Sequence, residues 1–304
     1  MPGVSPVKAP ITVAIPTYRR EQVLVETLEY LLALQPPPAE ILVLDQTEQH
    51  EPVTTAALQA MADGGAIRWV HLPEPSIPQA MNQGLLRATQ EIVLFVDDDI
   101  RPEAGLLAAH LAANAQHGAD VLVAGRVIQP WEEGNVFSAE DPFCFAGLRA
   151  AWINEFMGGN FSVSRATALA LGGFDENFVR VAYRFEAEFA HRFRASGRRI
   201  WFEPWACLHH LKDAGGGTRT YGSHLTTWRP DHAVGAYYYG LRTGAWRELM
   251  TRPLRAVLTR HHLRHPWQMV GTLAAELRGL LWAWRLHRAG PRLVQQLAQP
   301  GAGA

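Results

Sequence analysis

The sequence predicts an α/β fold in which a mostly parallel sheet carries helices on both faces and is followed by a C-terminal helical extension. Over the first 128 residues, short apolar runs rich in β-branched residues alternate with helical patterns. This alternation is typical of parallel strands that are joined by helices. Beyond Pro230 the patterns are helical only, and most of them have a proline near the start.

The first half of the chain contributes the strands of the predicted sheet. A helix predicted over 21–34 has apolar residues at i, i+3 and i+4, and the prolines at 36–38 end it. The predicted strands cover 11–15, 41–45, 67–71, 92–96 and 121–128. The helices between them cover 21–34, 52–62, 78–89 and 102–117.

The second half is more irregular, with a loop-rich insertion predicted over 129–152. Strands are predicted at 158–164 and 199–208, short helices at 164–171 and 185–196, and a glycine-rich loop at 212–221. The last helices are predicted at 231–250, 253–263, 266–287 and 291–299. We expect a domain over 1–229, with halves at about 10–128 and 129–229, and a helical extension over 230–304.

Charge and cysteine content exclude several classes of protein. Lysine and arginine total 28 against 29 acidic residues, and this net charge of −1 argues against a nucleic-acid partner. The two cysteines, Cys144 and Cys207, support neither a disulfide framework nor a zinc cage. Because residues 1–10 contain no apolar run of a signal peptide, we expect a cytoplasmic protein.

Three consecutive carboxylates, Asp97, Asp98 and Asp99, follow the apolar strand at 92–96. Adjacent carboxylates repel one another, and an oxygen-preferring cation such as Mg²⁺ or Mn²⁺ relieves that repulsion. Ligands gather at the carboxyl ends of strands in open α/β sheets. The alternative is a solvated acidic turn, which the buried strand before it and its strand-end position disfavour.

Six segments in the correct order resemble the family 2 glycosyltransferases, which have the GT-A fold. The resemblance covers roughly residues 11–210. It rests on VAIPTYRR at 13–20, ILVLD at 41–45, AMNQG at 80–84, FVDDD at 95–99, GGNFSVSR at 158–165 with GGFDE at 172–176, and IWFEP at 200–204 continuing to His209.

The resemblance implies a nucleoside diphosphate sugar donor, a divalent cation and inversion at the anomeric carbon. It implies that Asp99 and His209 bind the cation and that Gly159 and Asn160 contact the acceptor. The residues that it implies for the donor are Pro16, Thr17, Tyr18, Asp45, Asn82, Asp97 and Asp98. His210 is a weaker candidate than His209, since alternation along the strand sends it to the other side.

The sequence departs from the family pattern at two donor positions and at the expected catalytic base. Met81 replaces an arginine, and Gln46-Thr47 replaces an aspartate and a glycine. Phe185-Glu186 stands where the family has Glu-Asp, so Glu186 is the carboxylate that we expect to deprotonate the acceptor. The alternative is that Glu186 and Glu188 are both surface carboxylates of a helix.

Three further features have both a functional and a structural interpretation. Lys212 and Arg219 flank the glycines of the 212–221 loop, which either closes over the diphosphate or is a passive linker. Trp152 either stacks on an acceptor sugar or packs in the core. The helix at 266–287 either docks on the catalytic domain or lies at the cytoplasmic leaflet of a membrane as a peripheral contact.

The leading hypothesis is an inverting, metal-dependent glycosyltransferase that acts on a saccharide or a lipid-linked saccharide in bacterial surface polysaccharide assembly. One alternative is a non-catalytic nucleotide-sugar binding protein, which the loss of the Glu-Asp pair favours. The other is a sugar nucleotidyltransferase, although a glycine-rich phosphate loop is missing around residues 16–18.

Overall fold

A mixed sheet forms the centre of the structure, a computed structural model that describes residues 7–294 except the side chains of residues 218 and 219. Within the described residues the sheet has nine strands, and their bounds are β1 (Ala9–Thr17), β2 (Pro38–Asp45), β3 (Arg68–His71), β4 (Ile92–Val96), β5 (Ile100–Pro102), β6 (Val121–Ile128), β7 (Ala151–Ile153), β8 (Asn160–Ser164) and β9 (Arg199–His210). Their order is β3-β2-β1-β4-β8-β6-β9-β5, with β7 paired to β9. Six strands share one direction and β5, β7 and β8 oppose it, which confirms the mostly parallel sheet.

Helices connect the strands and then continue alone after β9. Their bounds are α1 (Gln22–Leu32), α2 (Pro52–Asp63), α3 (Ile77–Arg87), α4 (Leu106–His117), α5 (Arg165–Ala170), α6 (Phe185–Ala195), α7 (Val234–Thr243), α8 (Trp246–Val257), α9 (Arg260–Arg264) and α10 (Gln268–Ala289). Serine caps begin two of them, because Ser76 accepts from the Gln79 amide and Ser164 from the Thr167 amide. None of the helices in the described range has the length and apolar content needed to cross a membrane.

The structure differs from the predicted elements at four places. β5 precedes the helix predicted at 102–117 and overlaps it only at Pro102, and β7 begins in the last two residues of the loop predicted at 129–152. Both are strands of only three residues, which are too short to show a period. Gly244, with φ of 71°, separates α7 from α8, and Pro253 lies inside α8 rather than at a helix start. The helix predicted at 291–299 falls largely outside the described residues.

The core has two layers because the sheet is buried on both faces. Alternate residues of β1 show this, since Val13 packs in the cluster on one face and Ala14 in the cluster on the other. Tyr237 and Tyr238 of α7 are fully buried in the same cluster as Phe174. The first C-terminal helix therefore packs directly against the region that follows β8. The boundary near residue 229 stays a prediction.

Strand pairing brings the ends of several strands to one edge of the sheet. Thr17 at the end of β1 is in register with Asp45 at the end of β2, and β4 runs parallel to β1 and ends just before the acidic triplet. At the far side, Ile100 of β5 pairs with His210, the last residue of β9. The acidic triplet, residues 16–18 and the end of β9 are therefore neighbours.

Candidate active site

A cavity of about 330 Å³ opens at this edge of the sheet. Its walls are formed by the end of β1 and the residues after it, by the acidic triplet, by the end of β9 and by the loop that follows β9. Of the residues expected to contact the donor or metal, it contains Pro16, Thr17, Tyr18, Asp97, Asp98, Asp99 and Lys212. The cavity also contains His210, the weaker of the two histidine candidates, and Gln46, one of the departures from the family pattern. Three further lining residues, Arg20, Arg180 and Tyr221, were not expected from the sequence.

Asp97, Asp99 and His210 form a group that could hold a metal ion. Their ligand atoms lie within 4.8 Å of one another, and His210 Nε2 is 3.1 Å from Asp99 Oδ1. That Oδ1 atom is buried, and among the described residues its only close polar contact is this one with His210. A carboxylate oxygen with a single such contact keeps a lone pair that can bind a cation. Two carboxylates and an imidazole are a donor set that suits Mg²⁺ or Mn²⁺, so these residues fit a divalent cation.

His210, rather than His209, faces the acidic triplet, which corrects the expected metal ligand. His209 points to the opposite side, where its ring nitrogens lie 2.8 Å from Glu103 and from Glu133. The two histidines do alternate as expected, but the register of β9 with β5 places the second one toward the cavity. The sequence could not fix this register, because β5 was not recognised as a strand.

Among the lining residues that the sequence did not indicate, Arg20 has the most contacts with the acidic triplet. Its buried guanidinium donates to Asp98 at 3.0 Å, to Asp99 at 3.1 Å and to the Asp213 carboxylate at 3.1 Å. It also donates to the carbonyl of Gly215. One arginine therefore neutralises part of the triplet and ties it to the loop at 212–221. Its position in the segment PTYRR was visible, but its partners lie 78 or more residues away.

Burial and neighbouring charges shift the carboxyl pKa values of Asp98 and Asp99 in opposite directions. Burial raises the pKa of Asp98 to about 7, although Arg20 opposes this shift. Asp99 is also desolvated, but its hydrogen bond and charge interaction with His210 hold the pKa of its carboxyl below the usual value. The same contact with Asp99 raises the pKa of His210 despite the burial of the ring. A charged His210–Asp99 pair is therefore favoured in the ion-free protein.

Glu186 lies close to the triplet, across the two glycines that precede β8. A Cβ atom on Gly158 would be 2.9 Å from Glu186 Oε1, and a Cβ on Gly159 would overlap Asp97 Oδ2. Neither glycine can carry a side chain without moving one of these carboxylates. Burial raises the pKa of Glu186 to about 7, and repulsion from Asp97 adds to the shift. A carboxyl with a pKa near 7 suits proton transfer at neutral pH.

The other carboxylates of this region have structural partners. Glu188 is buried, and Arg192 and Arg242 donate to its Oε1 at 2.8 and 3.3 Å. Asp175 is buried as well and accepts from the Tyr238 hydroxyl at 2.7 Å. The Glu188–Arg242 ion pair joins α6 to α7. Glu186 is half-buried and has no such ion pair within the range that the structure covers.

Two residues expected to contact the donor are directed away from the cavity. Asp45 is fully buried, and its carboxylate lies 2.8 Å both from His50 Nε2 and from Trp69 Nε1. Asn82 is also fully buried and holds the backbone of Phe174 through both atoms of its amide. Both polar side chains satisfy buried donors and acceptors inside the fold, and their assignment to the donor stays a prediction.

Two of the three residues expected to contact the acceptor also have structural roles. Asn160 is fully buried, with its Oδ1 2.9 Å from His110 Nε2 and its Nδ2 2.8 Å from the Ala206 carbonyl. Trp152 lies on β7, where it pairs with Trp201 of β9, and its ring packs against Trp201 and His117. Gly159 lies beside Asp97 and is partly exposed, so its assignment to the acceptor stays a prediction.

The loop at 212–221 packs over the cavity. The Gly217 amide donates to the Tyr18 carbonyl at 2.8 Å, and the Asp213 amide donates to Asp99 Oδ2 at 2.9 Å. Lys212 Nζ lies 4.3 Å from the centre of the Trp131 ring. The loop therefore covers one side of the triplet. The side chain of Arg219 lies outside the described residues.

The sequence and the fold both match known glycosyltransferases. The family model described as glycosyl transferase family 2 matches residues 12–170, which is just over half of the chain. No curated protein matches the sequence. All solved structures named below are less than 25% identical to this chain, so their likeness concerns the fold.

Three solved structures illustrate the likeness. The mannosyltransferase PcManGT from Pyrobaculum calidifontis, in complex with GDP-Man and Mn²⁺, is 22% identical with a TM-score of 0.55, over 94% of this chain and 81% of that one. S. aureus TarS 1–349 in complex with UDP-GlcNAc is 15% identical with a TM-score of 0.56, and the match covers 93% of this chain and 92% of that one. GalNAc-T7 with UDP, GalNAc and Mn²⁺ is 12% identical with a TM-score of 0.56, and the match covers 77% of this chain and 51% of that one. This chain therefore spans about half the length of GalNAc-T7.

The match of the family model and the shared architecture agree with the order of motifs along the chain. They also agree with an acidic triplet at the carboxyl edge of the sheet. This chain belongs to glycosyl transferase family 2 and is a glycosyltransferase with the GT-A fold.

Proposed function

We propose that this glycosyltransferase takes its sugar from a nucleoside diphosphate sugar bound in the 330 Å³ cavity and transfers it with inversion. The observation that carries the proposal is the group of Asp97, Asp99 and His210 on the cavity wall, where the buried Asp99 Oδ1 contacts only His210 among the described residues. Thr17 Oγ1 in the same cavity is buried without a hydrogen-bond partner among those residues. Both atoms favour a polar ligand.

The solved relatives support this choice of ligands. PcManGT was solved with GDP-Man and Mn²⁺, TarS with UDP-GlcNAc, and GalNAc-T7 with UDP and Mn²⁺. In this chain, Asp97, Asp99 and His210 would hold Mg²⁺ or Mn²⁺, which offsets the negative charge of a departing diphosphate when it is bound. Arg180 and Lys212 line the cavity and add two positive side chains for the same charge.

Glu186 is the base of the proposed mechanism. Its ionised carboxylate accepts the proton of an acceptor hydroxyl, whose oxygen forms a bond to the anomeric carbon. The bond from that carbon to the donor phosphate breaks on the opposite face, and the nucleoside diphosphate leaves with the electron pair. The transition state resembles an oxocarbenium ion, and no covalent enzyme intermediate is needed. The two glycines separate Glu186 from Asp97 of the cation group, and we propose that the acceptor hydroxyl binds between these two carboxylates.

The acceptor that we propose is a saccharide or a lipid-linked saccharide. This follows from the family, as does the proposed setting in the cytoplasm of a bacterium during assembly of surface polysaccharide. The Trp152 surface is not part of this proposal, since the Trp152 ring packs against Trp201 and His117. We instead expect the acceptor to bind beside the start of α6, where its hydroxyl can reach Glu186.

A donor panel tests the proposal. Purified protein is incubated with UDP-, GDP- and dTDP-sugars and with Mg²⁺ or Mn²⁺, and the release of nucleoside diphosphate is measured with and without saccharide acceptors. We expect release from one donor class, and product anomers of opposite configuration to the donor by NMR. Asp99→Asn serves as the matched inactive protein. Equal release by the wild type and this variant, or retention of configuration, would contradict the proposal.

A further inference from the structure

The last helix of the described chain packs its small residues inward and leaves its large apolar residues outside. Gly271, Ala275, Gly279 and Ala283 form part of its buried side. A Cβ on Gly279 would be 2.6 Å from the Ala233 side chain, and one on Gly271 would be 2.8 Å from the Trp228 ring. These close contacts fix the rotation of α10 about its axis. The outward position of its apolar side is thus a consequence of packing.

The outward side of α10 is a continuous apolar stripe. It consists of Trp267, Val270, Leu273, Leu277, Leu281 and Trp284, all at least 45% exposed. Their spacing of three and four residues places them on one face of the helix. A surface helix of a globular protein ordinarily turns such a face toward the core, so the arrangement here is inverted.

A second stripe lies on α8, which contacts α10. Trp246, Met250, Leu254 and Leu258 recur every four residues and are between 61% and 78% exposed. We call these four residues and the six of α10 the exposed apolar face. Half of the large apolar side chains that are exposed in the described chain lie between residues 246 and 284. Contiguous patches of this kind mark interaction sites.

The charge of the same segment is strongly positive. Residues 246–289 contain eight arginines and two glutamates, a net charge of +6, whereas the whole chain carries −1. The buried Glu276 is paired with Arg252, which leaves the arginines in excess at the surface. Arg288 stacks on Trp284 at 4.9 Å, so one of these cations stands beside the exposed apolar face.

We propose that the exposed apolar face of α8 and α10 rests on the surface of an anionic lipid bilayer. Amphipathic helices with arginines beside Trp and Leu bind such surfaces by burying apolar area among the headgroups and by attraction to anionic lipids. A second copy of this chain is disfavoured as the occupant, because the two facing segments would each carry a net charge of +6 and repel one another. The helix α10 itself lies near the donor cavity, since Arg180 of that cavity stacks over Trp282 on another side of the helix at 5.8 Å.

Sedimentation with lipid vesicles tests this surface without any sugar donor, so its result is independent of the proposed reaction. The full chain is mixed with vesicles of phosphatidylcholine alone or with phosphatidylglycerol added, and bound protein is pelleted. We expect binding to the anionic vesicles at low salt and a loss of binding as salt increases. Each of Arg285→Gln and Arg288→Gln should weaken binding roughly fivefold.

Two apolar variants and one matched control make the test specific. Trp267→Glu with Trp284→Glu, and Met250→Glu with Leu254→Glu, should each leave the protein in the supernatant with an unchanged Tm. Trp205→Glu removes an equally exposed tryptophan from β9 and should bind as the wild type does. Wild-type protein that stays in the supernatant at low salt would overturn the proposal. So would a lipid-free dimer by light scattering that the same variants convert to a monomer.

Discussion

Arg20 donates from Nη2 to one oxygen of Asp99 at 3.1 Å and leaves the other oxygen of that carboxylate to face His210. The two oxygens thus have separate roles. Oδ2 is held by the arginine and by the Asp213 amide, and Oδ1 is directed toward the candidate cation group. This division explains why the site needs a buried arginine among three aspartates.

Asp99→Asn should abolish cation-dependent nucleotide binding while the protein stays folded. The amide retains an oxygen for Arg20 but loses the charge that attracts a cation. We expect the affinity for Mn²⁺ and nucleoside diphosphate together, measured by calorimetry, to fall by more than about 100-fold. Asp63→Asn on the exposed end of α2 is the control. Unchanged affinity in Asp99→Asn would contradict the proposed cation group.

Arg20→Met should release the loop at 212–221 and destabilise the protein. Removing one partner of a buried ion pair leaves uncompensated charge and costs about 3–5 kcal/mol. Hydrogen exchange of residues 213–217 should increase, and the free energy of unfolding measured with urea should fall. Arg20→Lys should recover part of the stability but little of the protection, because lysine lacks the fork that reaches Asp98, Asp99 and Asp213 together. Unchanged exchange in Arg20→Met would refute this role.

Glu186→Gln should reduce kcat by about 10²–10⁴ and leave donor affinity nearly unchanged. Glutamine keeps the size of the side chain but cannot accept the proton. The control is Glu188→Gln, two residues further along α6, which should lower Tm through the loss of the pairs with Arg192 and Arg242. Its kcat should fall much less. Normal turnover by Glu186→Gln would place the base elsewhere.

The two glycines before β8 allow the base and the cation group to be perturbed separately. Gly158→Ala introduces a methyl group against Glu186 Oε1 and should reduce kcat with donor affinity intact. Gly159→Ala introduces one against Asp97 and should weaken Mn²⁺-dependent nucleotide binding. Steady-state kinetics and calorimetry of both variants measure the difference. The same effect from both substitutions would contradict the proposed division of roles.

The pH dependence of kcat/KM should show an acidic limb at or below pH 7. Burial, followed by repulsion from Asp97, raises the pKa of Glu186 to about 7, and only its ionised form can accept a proton. Activity therefore rises as pH increases toward that value. A cation bound beside Asp97 offsets the repulsion and shifts the limb to lower pH. A limb that lies above pH 8, or that persists unchanged in the residual activity of Glu186→Gln, would exclude this titration.

Much of the fold could be predicted from local patterns. The strands at 11–15, 41–45 and 92–96 and the helices between them follow from apolar periodicity and from proline and glycine at their ends. The residues of the cavity that come from contiguous motifs, Thr17 and Asp99 among them, could be selected in the same way. The chemical groups of these motifs come from adjacent residues, and ligands generally bind at the carboxyl ends of the strands of a parallel sheet.

Other parts of the site depended on contacts between distant segments. Arg20 and His210 acquire their roles through partners 78 or more residues away, and the three-residue strand β5 sets which histidine faces Asp99. Asp45, Asn82 and Asn160 matched the family motif, yet each is fully buried and bonded inside the fold. Sequence alone therefore determined which chemical groups stand at the strand ends. Only the tertiary structure decided which of them face the cavity, because side-chain direction depends on strand register and buried polar groups must find partners.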